Sequence, residues 1–259
     1  MGNGQLKILN KHTMIDAIIF DLDGTLVKTE RLKALSYAKA AVELCPHSIS
    51  ENEVIEGFRE VVGRSRKEVA SYLVEKYNLV EKASARMTEF GVSTPWQAFV
   101  MVRLGYYEQM LADPDVILNN TWDHNVAVFE QARTIGCKVG LATMSRCKQA
   151  MRILDILQMR DRFDFIATRD DVEHGKPDPE IYNLVLDEFN ARPEQTLAIE
   201  DSPSGVQAAV NAGVGVIAVG TPFTTDHLLE ADFIDNKWVV SDPADLPKVL
   251  AEKIKEMNG

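Results

Sequence analysis

Two aspartates directly follow an apolar segment near the start of the chain: residues 15–19 predict a buried β-strand, and Asp21 and Asp23 come at its end. Alternation along an extended chain points both carboxylates to the same side, where their charges repel each other. A cation, a proton or a reacting electrophile between them would relieve that repulsion. Gly24 lets the backbone turn sharply and approach a ligand closely. On its own, this pattern is explained equally well as a strand followed by a turn, so its meaning depends on the segments downstream.

Short β-rich runs alternate with helical periodicity from residue 138 onward. Strands are predicted over 138–142, 163–167, 196–199 and 214–219, and helices over 146–158, 179–190, 203–212 and 243–257. This alternation predicts a parallel sheet covered on both faces by helices, a doubly wound α/β core. In such sheets, ligands bind beyond the carboxyl ends of the strands.

Residues 28–125 break this rhythm, because they show helical periodicity and almost no strand pattern. We predict a helical domain inserted into a catalytic core made of residues 14–27 and 126–259. An insertion that leaves the core just after Asp23 would sit over the carboxyl ends of the strands, as a lid. Residues 1–13 are polar and are expected to form a flexible tail.

Polar residues stand at the end of the second predicted strand, in the segment Thr143-Met144-Ser145. A hydroxyl and exposed backbone N–H groups at such a position can hold a phosphate oxygen. Thr143 alone is also explained as a cap or filler. Ser145 is the better candidate for the N-cap of the helix that begins near Arg146.

Lys176 lies in the segment His174-Gly175-Lys176-Pro177-Asp178-Pro179. Asp178 as N-cap and Pro179 as the first helical residue explain most of this segment as a helix start. Pro177 restricts Lys176 to an extended conformation and so points it in a fixed direction. Lys176 lies near strands that are predicted to end in carboxylates, so it is a candidate for a fixed positive charge that binds an anionic group.

The strand predicted over 196–199 runs into two further acids, Glu200 and Asp201. Asp201 or Ser202 could serve as an N-cap before a helix that starts at Pro203. With Asp21 and Asp23, however, the edge of the sheet would hold four carboxylates, which is very costly without a cation. A hard divalent ion that prefers oxygen ligands, Mg²⁺, is therefore the expected cofactor.

The composition limits the classes of binding partner that are expected. The formal net charge of −11 argues against nucleic acid or an anionic membrane as a partner, so an anionic substrate must be drawn in by a local positive site. No apolar run approaches the roughly 20 residues that cross a bilayer. Three cysteines without metal-type spacing favour reduced thiols and a cytoplasmic location. We expect a monomer or a weak homodimer.

Four segments, in this order, resemble the haloacid dehalogenase superfamily of phosphotransferases: Asp21-Leu22-Asp23-Gly24-Thr25, Thr143, Lys176-Pro177 and Glu200-Asp201. With the core they cover nearly the whole chain from Met14. The helical insertion looks like the C1-type cap of the subfamily that contains phosphoglycolate phosphatase and β-phosphoglucomutase. Within it, Gly63-Arg64-Ser65-Arg66 is similar to a stretch that binds substrate phosphate in the mutase.

This resemblance implies a role for each matching residue. Asp21 would attack the phosphorus and become an aspartyl phosphate, and Asp23 would act as general acid and base. Thr143 and Lys176 would hold the phosphate oxygens. Magnesium would be bound by Asp21, the Asp23 backbone carbonyl and Asp201, with Glu200 in or beside the shell. The implied substrate-binding residues are Gly24, Thr29, Arg66, Met144 and Ser145.

The resemblance implies a small phosphorylated metabolite as the partner, and four interpretations of the activity are weighed. Hydrolysis of a small phosphomonoester, a sugar phosphate or a phosphoglycolate-like acid, is favoured over a hexose-phosphate mutase. Thr29 and Arg66 match mutase positions, but Lys33 stands where the mutase has a histidine, and Lys28 stands where the subfamily usually has an aspartate. A non-catalytic binding module is poorly supported because every motif residue is present. Dehalogenation is disfavoured too, since Asp23 would have no leaving-group proton to supply.

Overall fold

The computed structural model describes residues 15–258, so the tail predicted over 1–13 lies outside the described residues. The chain divides into two compact units. Among the described residues, the first comprises 15–28 and 117–258, and the second is Thr29–Val116.

The segment just after residue 116 belongs to the first unit, although the sequence placed it in the helical insertion up to residue 125. The physical reason is a pair of backbone hydrogen bonds with the chain that leaves the first strand. Lys28 N–H donates to the Asn120 carbonyl at 2.7 Å, and Trp122 N–H donates to the Leu26 carbonyl at 3.0 Å. The two segments therefore form a short ribbon within the first unit.

A sheet of six strands forms the centre of the first unit, in the spatial order β3-β2-β1-β4-β5-β6, and each neighbouring pair is parallel. The strands are β1 (Ala17–Phe20), β2 (Lys138–Ala142), β3 (Phe165–Ala167), β4 (Thr196–Glu200), β5 (Gly215–Val219) and β6 (Val239–Val240). β1 lies between β2 and β4, with Phe20 opposite Leu141 on one side and Ile199 on the other. The predicted parallel α/β core is confirmed.

The second unit is helical. Its helices are α1 (Thr29–Leu44), α2 (Glu51–Arg59), α3 (Arg66–Lys76), α4 (Val80–Ala85), α5 (Met87–Phe90) and α6 (Pro95–Ala112). Capping boxes start α2 at Ser50 and α3 at Ser65, where a glutamate three residues later completes each motif. The core of this unit contains the Tyr37 ring, whose centroid lies 5.7 Å from those of Phe58 and Phe99. These aromatic residues pack in the interior, as the burial preferences of large rings predict.

The remaining helices are α7 (Pro114–Leu118), which spans the unit boundary, α8 (Asp123–Ile135), α9 (Cys147–Ile156), α10 (Glu180–Phe189), α11 (Pro203–Asn211), α12 (Thr225–Leu229) and α13 (Leu246–Met257). Alternation along β1 shows that helices cover both faces of the sheet. Ile19 packs in a buried cluster with Val185 of α10 and Val206 of α11, whereas the Phe20 ring contacts Phe129 of α8. In the described part of the chain, no helix is both long and apolar enough to span a bilayer.

Candidate active site

Three neighbouring strands bring the predicted motifs to one edge of the sheet. Asp21 follows β1, Thr143 follows β2 and Asp201 follows β4. Because the strands are parallel, their carboxyl ends meet at the same edge. Backbone hydrogen bonds extend the pairing past the strand ends. Asp21 N–H donates to the Ile199 carbonyl at 3.0 Å, and Thr143 N–H donates to the Ala167 carbonyl at 3.0 Å.

A tight loop follows Asp21. Gly24 has a φ of 89°, a conformation that favours glycine, and its N–H donates to the Val27 carbonyl at 2.7 Å. The Thr25 hydroxyl then reaches Asp201 Oδ1 at 3.4 Å. The buried Asn125 amide donates to the Thr25 carbonyl at 2.6 Å, so the loop is held from both sides.

The Lys176 ammonium reaches into this edge, and its side chain is only 3% exposed. It lies in a turn closed by a hydrogen bond from Asp178 N–H to the Gly175 carbonyl at 3.1 Å, and the Lys176–Pro177 peptide is cis. The ammonium donates to Asp21 Oδ1 at 2.8 Å, to the Ala142 carbonyl at 2.8 Å and to Glu200 Oε1. The ion pairs with Asp21 and Glu200 compensate the charge of a fully desolvated lysine.

Glu200 is fully buried and its two carboxylate oxygens are occupied by donors. Oε1 accepts from Lys176 and from the Tyr182 hydroxyl at 3.2 Å, and Oε2 accepts from the backbone N–H groups of Asp201 at 2.9 Å and Ser202 at 3.1 Å. A Cβ on Gly205 would lie 1.9 Å from Oε1, so only glycine fits there. Sequence reasoning missed this role of Tyr182 because an aromatic residue near a helix start usually indicates packing.

Ser145 does not cap the following helix, contrary to the local expectation. α9 begins at Cys147, its N-cap is Arg146, and no side chain caps it; Cys147 N–H instead donates to Asp170 Oδ2 at 2.9 Å. The Ser145 hydroxyl donates to Asp23 Oδ2, and the Ser145 N–H donates to the Thr143 hydroxyl at 3.1 Å. The loop after β2 is therefore tied to the loop after β1.

The helix after Lys176 also starts one residue later than predicted. α10 begins at Glu180, Pro179 is its N-cap residue, and Asp178 Oδ1 accepts from Glu180 N–H at 3.0 Å. Asp178 is therefore not the N-cap residue that the sequence predicts, although its carboxylate bonds the first residue of the helix.

Three acids form a cluster that fits a divalent cation. One carboxylate oxygen from each of Asp21, Glu200 and Asp201 lies within 4.8 Å of the other two, and all three residues are buried. An all-oxygen donor set is the kind that Mg²⁺ takes. Asp23 lies outside this cluster, and its carboxylate accepts the Ser145 hydroxyl.

The charges in this cluster shift the pKa values of its members. Burial raises the pKa of Asp21 to about 7, the Lys176 ammonium opposes this rise, and the negative charges of Glu200 and Asp23 add to it. Burial alone would lower the pKa of Lys176, but the Asp21 and Glu200 carboxylates outweigh it and hold that pKa well above its usual value. A cation beside Asp21 would favour the ionised carboxylate that a nucleophile requires.

The structure therefore brings most of the predicted site residues together within the first unit, namely Asp21, Asp23, Gly24, Thr143, Met144, Ser145, Lys176, Glu200 and Asp201. Met144 is half-buried, and its terminal methyl lies 2.9 Å from where a Cβ on Gly175 would be. Thr29 and Arg66 belong to the helical unit, where Thr29 is buried at the start of α1 and Arg66 is exposed at the start of α3.

Comparison with known proteins agrees with this geometry. The model of the haloacid dehalogenase-like hydrolase family matches residues 18–219. A phosphorylated carbohydrates phosphatase of Thermotoga maritima is 30% identical over 203 residues, which cover 77% of this chain and 82% of that protein. A validoxylamine A 7'-phosphate phosphatase of Streptomyces hygroscopicus is 26% identical over 223 residues, which cover 85% of this chain and 93% of that protein.

A solved structure shares the fold. The crystal structure of β-phosphoglucomutase from Clostridium difficile superimposes with a TM-score of 0.68 at 24% identity, covering 93% of this chain and 98% of that one. The family match spans more than half of the chain and includes the strand ends where the acids and Lys176 converge. The chain therefore belongs to the haloacid dehalogenase-like hydrolase family.

Proposed function

We propose that the protein catalyses Mg²⁺-dependent phosphoryl transfer through an aspartyl phosphate on Asp21, with hydrolysis of a small phosphomonoester as the overall reaction. The observation that carries this proposal is the buried contact between Asp21 Oδ1 and the Lys176 ammonium at 2.8 Å, beside two further acids at the same sheet edge. The two relatives described above are named as a phosphorylated carbohydrates phosphatase and a validoxylamine A 7'-phosphate phosphatase. A sugar phosphate or a phosphoglycolate-like acid is the substrate class that we infer.

In the first step, an Asp21 oxygen attacks the phosphorus, the bond from phosphorus to the ester oxygen breaks, and Asp23 gives its proton to the leaving alcohol. In the second step, Asp23 takes a proton from water while the water oxygen attacks the phosphorus. The Asp21–phosphate bond then breaks, which releases inorganic phosphate and restores the Asp21 carboxylate. The hydrogen bond from Ser145 to Asp23 would orient that carboxyl group for both transfers.

The substrate is a dianion, and the protein must offset its charge before a carboxylate can approach it. Lys176 supplies one fixed positive charge, and the Thr143 hydroxyl with the N–H groups after β2 would bind phosphate oxygens. Asp21, Asp201 and the Asp23 backbone carbonyl would hold Mg²⁺, with Glu200 beside them. When bound, the ion would neutralise phosphate charge and help to fix the position of the phosphoryl group.

The helical unit is proposed to act as the cap that selects the substrate. Arg66, exposed at the start of α3, would clamp a second anionic group of a metabolite, and Thr29 would line the substrate site. Both residues match mutase positions, which is the specific observation in favour of a second candidate, a hexose-phosphate mutase that uses the same phosphoaspartate. Lys33 in place of the mutase histidine favours the hydrolase.

A single panel assay tests both candidates. Phosphorylated sugars and phosphoglycolate are incubated with the protein and Mg²⁺, and both free phosphate and isomerised sugar phosphate are quantified. Phosphate release without isomerisation is expected. Isomerisation without net phosphate release would establish the mutase, and neither product from any ester would overturn phosphoryl transfer as the function.

A further inference from the structure

A short 3₁₀ turn, Arg169–Asp171, lies between the two loops that carry Ser145 and Lys176. On one side it is bonded to the loop after β2. Arg169 N–H donates to the Ser145 carbonyl at 3.1 Å, and Asp170 Oδ2 accepts from Cys147 N–H at 2.9 Å. Two hydrogen bonds therefore fix Ser145 relative to this turn. One is made by the Ser145 carbonyl itself, and the other by the Cys147 N–H at the start of the next helix.

On the other side, the Arg169 guanidinium holds the chain that leads to Lys176. Its Nη1 donates to the Val172 carbonyl at 2.7 Å and its Nη2 to the Glu173 carbonyl at 3.3 Å. The Glu180 carboxylate accepts from the N–H groups of Glu173 and His174, both at 2.7 Å. The peptides just before Lys176 are thus fixed through their carbonyl groups by Arg169 and through their N–H groups by Glu180.

The turn itself is firmly held. Thr168 is 1% exposed, and its N–H and hydroxyl donate to Asp171 Oδ2 at 2.8 and 2.7 Å. A rigid turn that is bonded to both loops leaves little freedom in the distance between them. Ser145 contacts Asp23 and Lys176 contacts Asp21, so this distance affects the groups assigned as the general acid and the nucleophile.

We propose that Arg169 is a positioning residue of the phosphoryl-transfer site, which sets the spacing between the Ser145 loop and the Lys176 loop. The inference rests on the proposed function, in which both loops act on one phosphoryl group. Arginine suits this role because its planar fork spans two carbonyl groups, whereas a lysine ammonium is a single point of charge. A misplacement of about 1 Å in such a site can lower the rate by about a hundredfold.

The test compares Arg169→Ala and Arg169→Lys with a matched control, Arg160→Ala. Arg160 also opens a 3₁₀ turn of the first unit, Arg160–Arg162, and it pairs with Asp155, near the end of the preceding helix α9, at 3.5 Å. Both Arg169 variants should lose about tenfold or more in kcat, with a smaller change in KM. The control variant should have the kcat of the wild type. Added guanidinium ion should restore part of the activity of Arg169→Ala and should leave the activity of the control variant unchanged. Wild-type kcat in both Arg169 variants would overturn the proposal.

Hydrogen exchange followed by mass spectrometry gives a readout that does not depend on turnover. The amides of residues 172–176 should exchange faster in both Arg169 variants than in the wild type and in Arg160→Ala. Unchanged exchange would overturn the proposal, and so would faster exchange with unaltered kcat. If the wild type hydrolyses no phosphate ester, the proposed function fails, whereas the exchange rates still decide whether Arg169 holds the Lys176 loop.

Discussion

The Lys176 ammonium and the Asp21 carboxylate form an ion pair at 2.8 Å whose side chains are 3% and 8% exposed. Burying two charges is costly, and a buried pair seldom contributes more stability than apolar residues of the same volume would. Here the pair stands at the edge of the sheet where ligands bind in open α/β folds. We infer that the pair serves the proposed reaction. Lys176 would stay bonded to Glu200 when the Asp21 carboxylate attacks phosphorus.

The occupied oxygens of Glu200 predict that it acts mainly through Lys176. Glu200→Gln keeps the shape of the side chain but removes its charge, which should lower kcat by about tenfold to a hundredfold, the range for a hydrogen bond to a charged group. The Mg²⁺ concentration required for half-maximal activity should change little. A kinetic titration with Mg²⁺ measures both quantities. If Glu200→Gln raised that requirement as strongly as Asp201→Ala does, Glu200 would be a direct ligand.

The acid cluster predicts that activity depends on Mg²⁺ and that Ca²⁺ replaces it poorly, because calcium takes a larger and looser coordination shell. Asp201→Ala should raise the Mg²⁺ requirement or abolish turnover. Asp178→Ala is the control, since Asp178 accepts from Glu180 N–H at the start of α10. It should cost about 1 kcal/mol of stability and leave the metal requirement unchanged. Full activity after exhaustive chelation would contradict the assignment of the cluster.

The raised pKa of Asp21 predicts a pH-dependent stability of the metal-free protein. Because the folded-state pKa of about 7 exceeds the usual aspartate pKa of 3.8, the native state binds more protons between these values, and the free energy of unfolding falls as the pH rises through them. In a chelator at about pH 8, Asp21→Asn should melt at least about 2 °C above the wild type, and the two proteins should have the same melting temperature at about pH 4.

Thermal melting across this pH range, with and without Mg²⁺, provides the measurement. Added Mg²⁺ should stabilise the wild type more than Asp21→Asn, since the amide is the weaker ligand. A wild type that melts above Asp21→Asn at high pH without metal would show that the Lys176 pair outweighs the cost of burying the charge.

Much of the core could be predicted because its strands are short apolar runs between polar or glycine-containing segments. β2 has the predicted bounds, Lys138–Ala142. Other elements carry weaker local signals. α8, Asp123–Ile135, has no side-chain cap to mark its start, and β6, Val239–Val240, is too short to show alternation. The end of the helical unit depends on the pairing of Lys28 with Asn120, which is invisible to local rules.

The convergence of the site residues could be predicted, because parallel strands bring their carboxyl ends to one edge of the sheet. The fine contacts could not, because local preferences compete with distant partners. Ser145 satisfies the local criteria for an N-cap, yet its hydroxyl bonds Asp23, a residue 122 positions away in the chain. Tyr182 likewise has the pattern of a packing residue, but its hydroxyl donates to the buried Glu200.

Arg66 gives the test of substrate recognition by the helical unit. If it clamps a second anion, Arg66→Ala should weaken turnover of a metabolite with two anionic groups by about 1.5–3 kcal/mol in transition-state binding. A small aryl phosphate, which has no second anion, should be nearly unaffected. The ratio of kcat/KM for the two substrates in wild type and variant measures the effect. Equal losses on both substrates would assign Arg66 to packing, and no loss on either would leave it as a solvated charge.

The proposed covalent role of Asp21 is tested most directly by trapping the intermediate. The protein is mixed with Mg²⁺ and a substrate established by the panel assay, quenched in acid within one turnover, and digested for mass spectrometry. In the wild type, the peptide containing Asp21 should gain the mass of one phosphoryl group. Asp21→Asn, which keeps the size of the side chain but removes the nucleophile, should show no such gain and no phosphate release. Steady phosphate release by Asp21→Asn, or a phosphoryl group found on another residue, would contradict the phosphoaspartate mechanism.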